Sequence, residues 1–455
     1  MEFISPLDAL FLIAESREHP MHVGALQIFD PMDSTGPEFA RRAYATLAAG
    51  EKFHPTFRKR PARLFGTPQL AWTVESTVEL DYHLQRWALP ESGGLDALVE
   101  VAAGLHSTLL DRHRPLWETH LIEGLAGDRV GLYAKVHHAL MDGVAAQRLM
   151  QRMLTSDPDA GEALAPWHLP PSDRHNENPS RPRALGATAR AMFAQAAGSA
   201  PAALRLARTA LVEQQLTLPF AAPRTLFNVP IGGARRCAAR SWPLDRIRQL
   251  KKMTGTTLND VVLAMAAGAL RAYLIAHHAL PDKPLVAMVP VSLRPESDEA
   301  HTGGNAVAAL LCGLATDIAD PAQRLASINS SMRRSKEIYR ELSPGQAVSL
   351  SALTLSPLAL SLLVPATVAL ANPPFNIVIS NIPGPREPRY WNGARLDASY
   401  PLSIPFDGQA VNITLTTNAD NLDIGIVACR RSVPDVATLL DHLETALSEL
   451  EDAAY

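Results

Sequence analysis

The chain patterns as a mixed α/β protein in two domains. Stretches with a period of two, such as Val130 to Val136, alternate with helix-period stretches such as Leu95 to Leu110. Its 455 residues exceed what one core usually serves. Composition breaks over residues 156–182, where five prolines fall between Pro158 and Pro179 amid Ser, Asp and Asn. The predicted division is a first domain over 1–155, a Pro-rich linker with an Ala-rich helix over 156–223, and a second domain over 224–455.

With 47% apolar and 19% charged residues the chain is globular in type. A net charge of −4 gives no basic field for nucleic acid. Cys237, Cys312 and Cys429 are widely spaced, so neither a disulfide framework nor a structural metal site is expected, which fits a reducing compartment. The opening residues carry an acid early and do not pattern as a secretory signal. No repeat of fixed period occurs.

In order, Ser5 or Asp8 can cap a short helix carrying Leu10, Phe11 and Ile13, which His19-Pro20 ends. His22 to Phe29 alternates as a strand. Residues 37–50 pattern as a helix, Phe53 to Arg60 as a basic loop, and Pro68–Val74 and Leu80–Leu84 as strand pieces. Leu95 to Leu110 is amphipathic, and Arg112 to Trp117 interrupts it. Trp117 to Glu123 alternates into a turn at Gly124 and Gly127. Arg183 to Leu218 is Ala-rich with several arginines, either an ordinary surface helix or one lying on an acidic membrane. Further on, Leu258–Tyr273 is helical, Leu285–Ser292 and Ala306–Leu314 are strands, and Pro321–Glu341 is a charged amphipathic helix. Residues 375–381, Ala410–Thr416 and Leu422–Val427 are strands, and Pro434–Leu450 is the last helix. Val348 to Ala371 carries no charge over 24 residues. A bilayer span needs about 20 apolar residues. Its hydroxyl side chains, with Pro357 and Pro365, favour two short helices instead.

The chemistry concentrates in Arg129 to Leu154. A strand over Val130–Val136 gives way to a helix whose apolar stripe is Ala145, Ala146, Leu149, Met150, Met153 and Leu154, with Gln147, Arg148, Gln151 and Arg152 opposite. Between them lie His137, His138, Asp142 and Gly143, spelling H-H-x-x-x-D-G. Neighbours in extended chain point to opposite faces, so only one histidine can aim at a site and the other faces packing. A neutral imidazole suits proton abstraction from a hydroxyl near pH 7. Asp142 can hold the imidazole, cap the helix or pair with an arginine, and Gly143 permits a tight turn. A lone His or a lone pre-helical Asp is usually structural; their combination at a strand-to-helix turn raises the catalytic reading. His277-His278-Ala-Leu-Pro-Asp282 repeats the letters but follows a helix and precedes a strand, so it is expected to be a structural loop.

With these pieces placed, the sequence resembles the bacterial wax ester synthase/diacylglycerol acyltransferase family nearly end to end. The landmarks are SPLDALFL from Ser5 and PMHVG from Pro20, then Pro115-Leu116-Trp117-Glu118 with IEGL after it. HHALMDG at 137–143, Asn259-Asp260-Val261, VPVSLRP at 289–295, GGN at 303–305 and SNIPGP at 380–385 complete the set. HHxxxDG alone is shared with peptide-forming condensation domains. One departure is Thr416-Thr417-Asn418, where the family often has Ser-Tyr; it bears on substrate preference, not on the reaction.

The resemblance implies a chloramphenicol-acetyltransferase-like fold of two mixed α/β domains with a tunnel between them. It implies acyl-CoA as co-substrate, no cofactor or metal, and a diacylglycerol or long-chain alcohol as acceptor, with His138 as the base. His137 would shape the turn. Asp142 would anchor it through an arginine, for which Arg294 is the candidate; the alternative for Arg294 is a plain loop arginine. Asn259 and Asp260 either contact substrate or cap their helix. Trp117 either packs in the core or touches the acyl chain. A peripheral position on membrane or lipid droplet in the cytoplasm is expected. The alternatives are a condensation-type acyltransferase using carrier-protein thioesters, which lacks support from any carrier motif here, and an inactive lipid-surface binding protein.

Overall fold

The structure, a computed structural model, describes the chain apart from residues 1, 33, 51, 65–66, 161–162, 171–220, 293–306, 343–345, 347–349, 351–371 and 455. In chain order the elements used below are α1 (Pro6–Ala14), β1 (His22–Pro31), α2 (Gly36–Ala48), β2 (Leu84–Gly93), α3 (Leu95–His106), β3 (Trp117–Leu125), β4 (Val130–His137), α4 (Gly143–Arg152) and β5 (Arg235–Pro243). Then come α5 (Leu258–Ala276), β6 (Val286–Ser292), β7 (Val307–Gly313), α6 (Pro321–Glu341), β8 (Ile377–Ile382), β9 (Ala394–Leu402), β10 (Val411–Asn418), β11 (Asn421–Cys429) and α7 (Thr438–Ala454).

The chain forms two compact units. The first gathers Met1–Pro170, Val229–Gln249 and Ser380–Asp441. Its main sheet runs Tyr390–Trp391, β9, β1, β4, β3, β2. All neighbours in it are antiparallel except β2 and β3. A parallel pair needs a crossover, and α3 supplies it. The crossover helix is apolar where it must be: Leu98, Val99, Ala102 and Ala103 bury against Leu26 and Ile28 of β1 and Tyr133 of β4. The same cluster takes in Cys237 and Ala239 of β5 and Val427 of β11. Each large aliphatic side chain so buried is worth about 1.5–3 kcal/mol. In this unit β10 pairs antiparallel with β11, and β11 with β5. A small sheet of Glu2–Phe3, Thr67–Val74 and Lys59–Leu64 lies apart.

The second unit comprises Pro171–Asn228, Leu250–Ile379 and His442–Tyr455. Here β6 pairs antiparallel with β7 and parallel with Ile377–Val378 of β8. Thr257 and Asp260 form a capping box that starts α5. By length and composition α5 could cross a bilayer, but 72% of its apolar window is buried inside the protein, as in a core helix.

Helices with a clear stripe and cap lie close to expectation; α6 spans Pro321–Glu341 as predicted, capped by Asp320 with Pro321 in the first turn. Three assignments are corrected. Leu80–His83 is a helical turn, not strand, and only Leu84 begins β2. Within the expected loop Phe53–Arg60, Pro55–Arg58 is a 3-10 turn and Lys59 opens a strand. The helix of α3 stops at His106, short of Leu110. Neither β5 nor β9 was anticipated, because arginines and Pro401 mask their alternation. The Ala-rich stretch Arg183–Leu218 and, apart from Leu350, the uncharged stretch Val348–Ala371 lie outside the described residues.

Candidate active site

The strand β4 delivers the two histidines to the end of the main sheet, where His22 of β1 is in register with His137. The turn after it is pinned on both sides. His137 donates its N–H to Leu116 O at 3.0 Å, and His138 donates to Met21 O at 2.8 Å. Leu140 and Met141 donate back to His137 O. Asp142 then caps α4, its Oδ1 accepting from Ala145 N at 2.7 Å.

The two imidazoles differ in every respect. His137 is sealed. Its Nδ1 accepts from Ala139 N at 3.0 Å, which places the proton on Nε2, 3.2 Å from Glu15 Oε1. Glu15 also receives Arg112 Nε at 2.9 Å and Met21 N at 3.3 Å. Burial acts to raise the Glu15 pKa, but His137 and Arg112 together hold it below the usual range. His138 is half-buried and stacks on Phe11, with ring centroids 4.1 Å apart at 17°. Its Nδ1 is enclosed with no partner among the described residues, which leaves Nε2 as the accessible nitrogen. Burial lowers its pKa from 6.5 to about 4, against the opposing pull of Asp142. The ring is therefore neutral near pH 7.

More buried polar groups support the sheet beneath. His22 Nε2 meets His106 O at 2.8 Å, and His106 Nδ1 meets the Tyr133 hydroxyl at 2.7 Å. Burial drives His106 down to about 3 and His22 well below its ordinary value. Lys135 spends its ammonium on Leu105 O, Thr108 O and Glu118.

An apolar cavity opens beside this turn. Val23 and Ala25 of β1, Trp117 of β3, Val136 of β4, Met141 of the turn and Leu402 of β9 form part of its wall. Gly143, Ala146, Gln147 and Met150 of α4 face it at helical spacing. His138 is not among the lining residues, whereas Met141 and Gly143 of its own turn are.

Several expectations are revised here. Gly143 has an ordinary backbone, and a Cβ there would meet only Ile382 Cδ1 at 3.8 Å; it is the cavity, not the turn, that it serves. Gln147, expected on the polar face of α4, is buried at 5% exposure, while Ala145 of the expected stripe is exposed. Trp117 is both core and wall. Its Nε1 donates to Phe57 O at 2.9 Å, and it stacks on His83 and Trp167 while lining the cavity. In the second unit Asp260 accepts from Thr257 and from Asn329 Nδ2, and Asn259 beside it is half-buried. Arg294 and Gly303–Asn305 lie outside the described residues. From SNIPGP, Ile382 reaches the cavity, and a Cβ on Gly384 would collide with Thr417 O, so only glycine fits against the Thr416-Thr417 pair. Glu15, Arg112 and Phe11 were not anticipated; partners so far away in sequence leave no local signal.

A family model for the wax ester synthase/diacylglycerol acyltransferase catalytic domain matches residues 4–262, and one for the C-terminal domain of the same proteins matches 303–451. A protein of Mycobacterium tuberculosis named "Probable diacylglycerol O-acyltransferase" is 54% identical over 454 residues, covering 100% of this chain and 99% of its own. A wax ester synthase/diacylglycerol acyltransferase from Marinobacter aquaeolei VT8 has a structure similar to this one, with a TM-score of 0.80 and 38% identity over the whole of both chains. The first condensation domain of the calcium-dependent antibiotic synthetase, at 17% identity and a TM-score of 0.58 over 100% of this chain and 96% of that one, shares the fold alone.

Proposed function

The chain belongs to the wax ester synthase/diacylglycerol acyltransferase family, and from that premise we propose that His138 is the general base of its acyl transfer. The enzyme moves a fatty acyl group from acyl-CoA to an alcohol, making triacylglycerol from diacylglycerol or wax ester from a long-chain alcohol. The observation that carries the assignment is the division of labour between the two rings. His137 is committed to Glu15, while His138 keeps one nitrogen accessible and stays neutral.

In the proposed sequence, His138 Nε2 takes the hydroxyl proton of the acceptor as its oxygen bonds to the thioester carbonyl carbon. The tetrahedral intermediate collapses, the C–S bond breaks, and the CoA sulfur takes the proton back from the imidazolium. No acyl-enzyme forms. A resting pKa of about 4 makes a weak base. The charge developing on the adjacent oxygen strengthens it in the transition state. His137 and Asp142 shape the turn, and Gly143 and Trp117 with the rest of the cavity wall take hydrocarbon. Of the two substrate contacts proposed in the second unit, Asp260 is already engaged by Thr257 and Asn329, which makes Asn259 the freer. Lipid substrates further suggest a cytoplasmic enzyme held peripherally on membrane or droplet, and release by high salt or carbonate tests that.

The deciding experiment incubates purified protein with palmitoyl-CoA and diolein and follows CoA release and triacylglycerol. His138→Ala should lower kcat about 10²–10⁴-fold. Full activity in that variant would remove His138 from the mechanism.

A further inference from the structure

Gln147 lies on the wrong side of its helix for a surface glutamine. It is 5% exposed, on the cavity wall, and no described residue hydrogen-bonds its amide. Neither amide atom is fully enclosed by protein, and the residue lines the cavity. Four other polar side chains lie on that wall, Thr119, Lys135, Ser403 and Thr414, and two of them are already engaged. Lys135 is held by Glu118 and two carbonyls, and Thr414 Oγ1 donates to Asn412 at 2.8 Å. An amide with no protein partner on a mostly apolar wall is placed to bond a polar group of a ligand.

We propose that Gln147 determines acceptor specificity by donating a hydrogen bond to an ester carbonyl of a glyceride. This rests on the acyl-transfer reading above. A neutral amide among Val23, Trp117, Met150 and Leu402 suits a neutral acceptor group carried on hydrocarbon, not a phosphate. Gln147 is one helical turn beyond Gly143, or about 6 Å along the axis. Near its hydroxyl a fatty alcohol presents only methylenes. A diacylglycerol presents an ester. Of the two acceptor classes, only the glyceride therefore offers the amide an ester carbonyl.

The test compares acceptors with palmitoyl-CoA as donor: 1,2-dioleoylglycerol, its diether analogue lacking both carbonyls, and hexadecanol. The wild-type enzyme should favour the ester over the diether about 10- to 100-fold in kcat/KM, the effect of leaving one buried polar group unpaired. In Gln147→Leu that ratio should fall to near one, and the diolein-to-hexadecanol ratio should fall in parallel. Gln147→Met, which fills the space flexibly, is the second variant and should behave alike. Wild-type protein that uses ester and diether equally overturns the proposal without any variant. So does a variant that keeps the wild-type ratio. If no acceptor releases CoA, it is acyl transfer itself that fails; CoA release without ester preference sinks only the role of Gln147.

Discussion

The letters His-His-Ala-Leu-x-Asp occur twice, at 137–142 and at 277–282, and the two turns have almost nothing else in common. The first leaves a strand and enters a helix. The second leaves a helix and approaches a strand. At the first turn a sealed histidine is fixed by Glu15, its neighbour stacks on Phe11, and the aspartate caps α4. At the second, His277 ends α5, turned back on Tyr273 O at 2.8 Å and stacked on the Tyr273 ring. His278 adopts a left-handed φ of 51°, and both rings are exposed. Direction makes the difference. A strand end inside a sheet has neighbours on both sides to hold a side chain, whereas a helix C-terminus leaves its last residues turned outward.

Substitutions at matched positions can break that contrast. The largest effect is expected at the second histidine of each pair: His138→Ala slows turnover about 10²–10⁴-fold. His278→Ala should remain within about twofold, since surface changes away from special features cost little. Equal loss in both would erase the distinction.

Acid should discriminate next. The buried rings of His22, His106 and His138 have lowered pKa values in the folded protein. Unfolded chain therefore binds protons first as pH falls below 6.5. The stability they confer is intact above that pH and is lost on the way down towards about 4 and about 3, by up to about 1.4 kcal/mol per group per pH unit. Glu15 and Glu118, also held low, add a loss at more acid pH. Urea midpoints at pH 7.5 and 5.5 check the sign; a midpoint that rose on acidification would contradict it.

Smaller effects follow. His137→Ala takes a close polar partner from a buried carboxylate and should cost about 2–3 kcal/mol in thermal or urea unfolding. His277→Ala should cost under about 0.5 kcal/mol. Asp142→Ala removes an N-cap for about 1 kcal/mol, while Asp282→Ala should be nearly neutral.

Much of the site was legible because its signals are local. A period change from two to 3.6 located the turn, alternation assigned one histidine to packing, and the reversed order of elements dismissed the second pair. Of the three roles open to Asp142, the helix cap is realised. What could not be read depends on distant neighbours. The binary pattern puts Gln147 with the arginines because it is polar, yet the cavity, assembled from β1, β3, β4 and β9, takes in Gln147 while Arg148 and Arg152 stay exposed. The tight turn expected of Gly143 is absent, since its backbone is ordinary and it lines the cavity. The strand Ala394–Leu402 went unseen since its charges and proline hide a period that only pairing to β1 supplies.

That last pairing has a consequence for biosynthesis. The strand completing the sheet beside His22–Pro31 is translated some 370 residues after it, from Ala394 onward. While the ribosome is still working, β1 has an open flank of unpaired amides, a template for aggregation. Contacts so remote in sequence also slow folding once synthesis ends. Nascent chains arrested before codon 394 should be sticky and chaperone-bound, and release of the full-length polypeptide should abolish that.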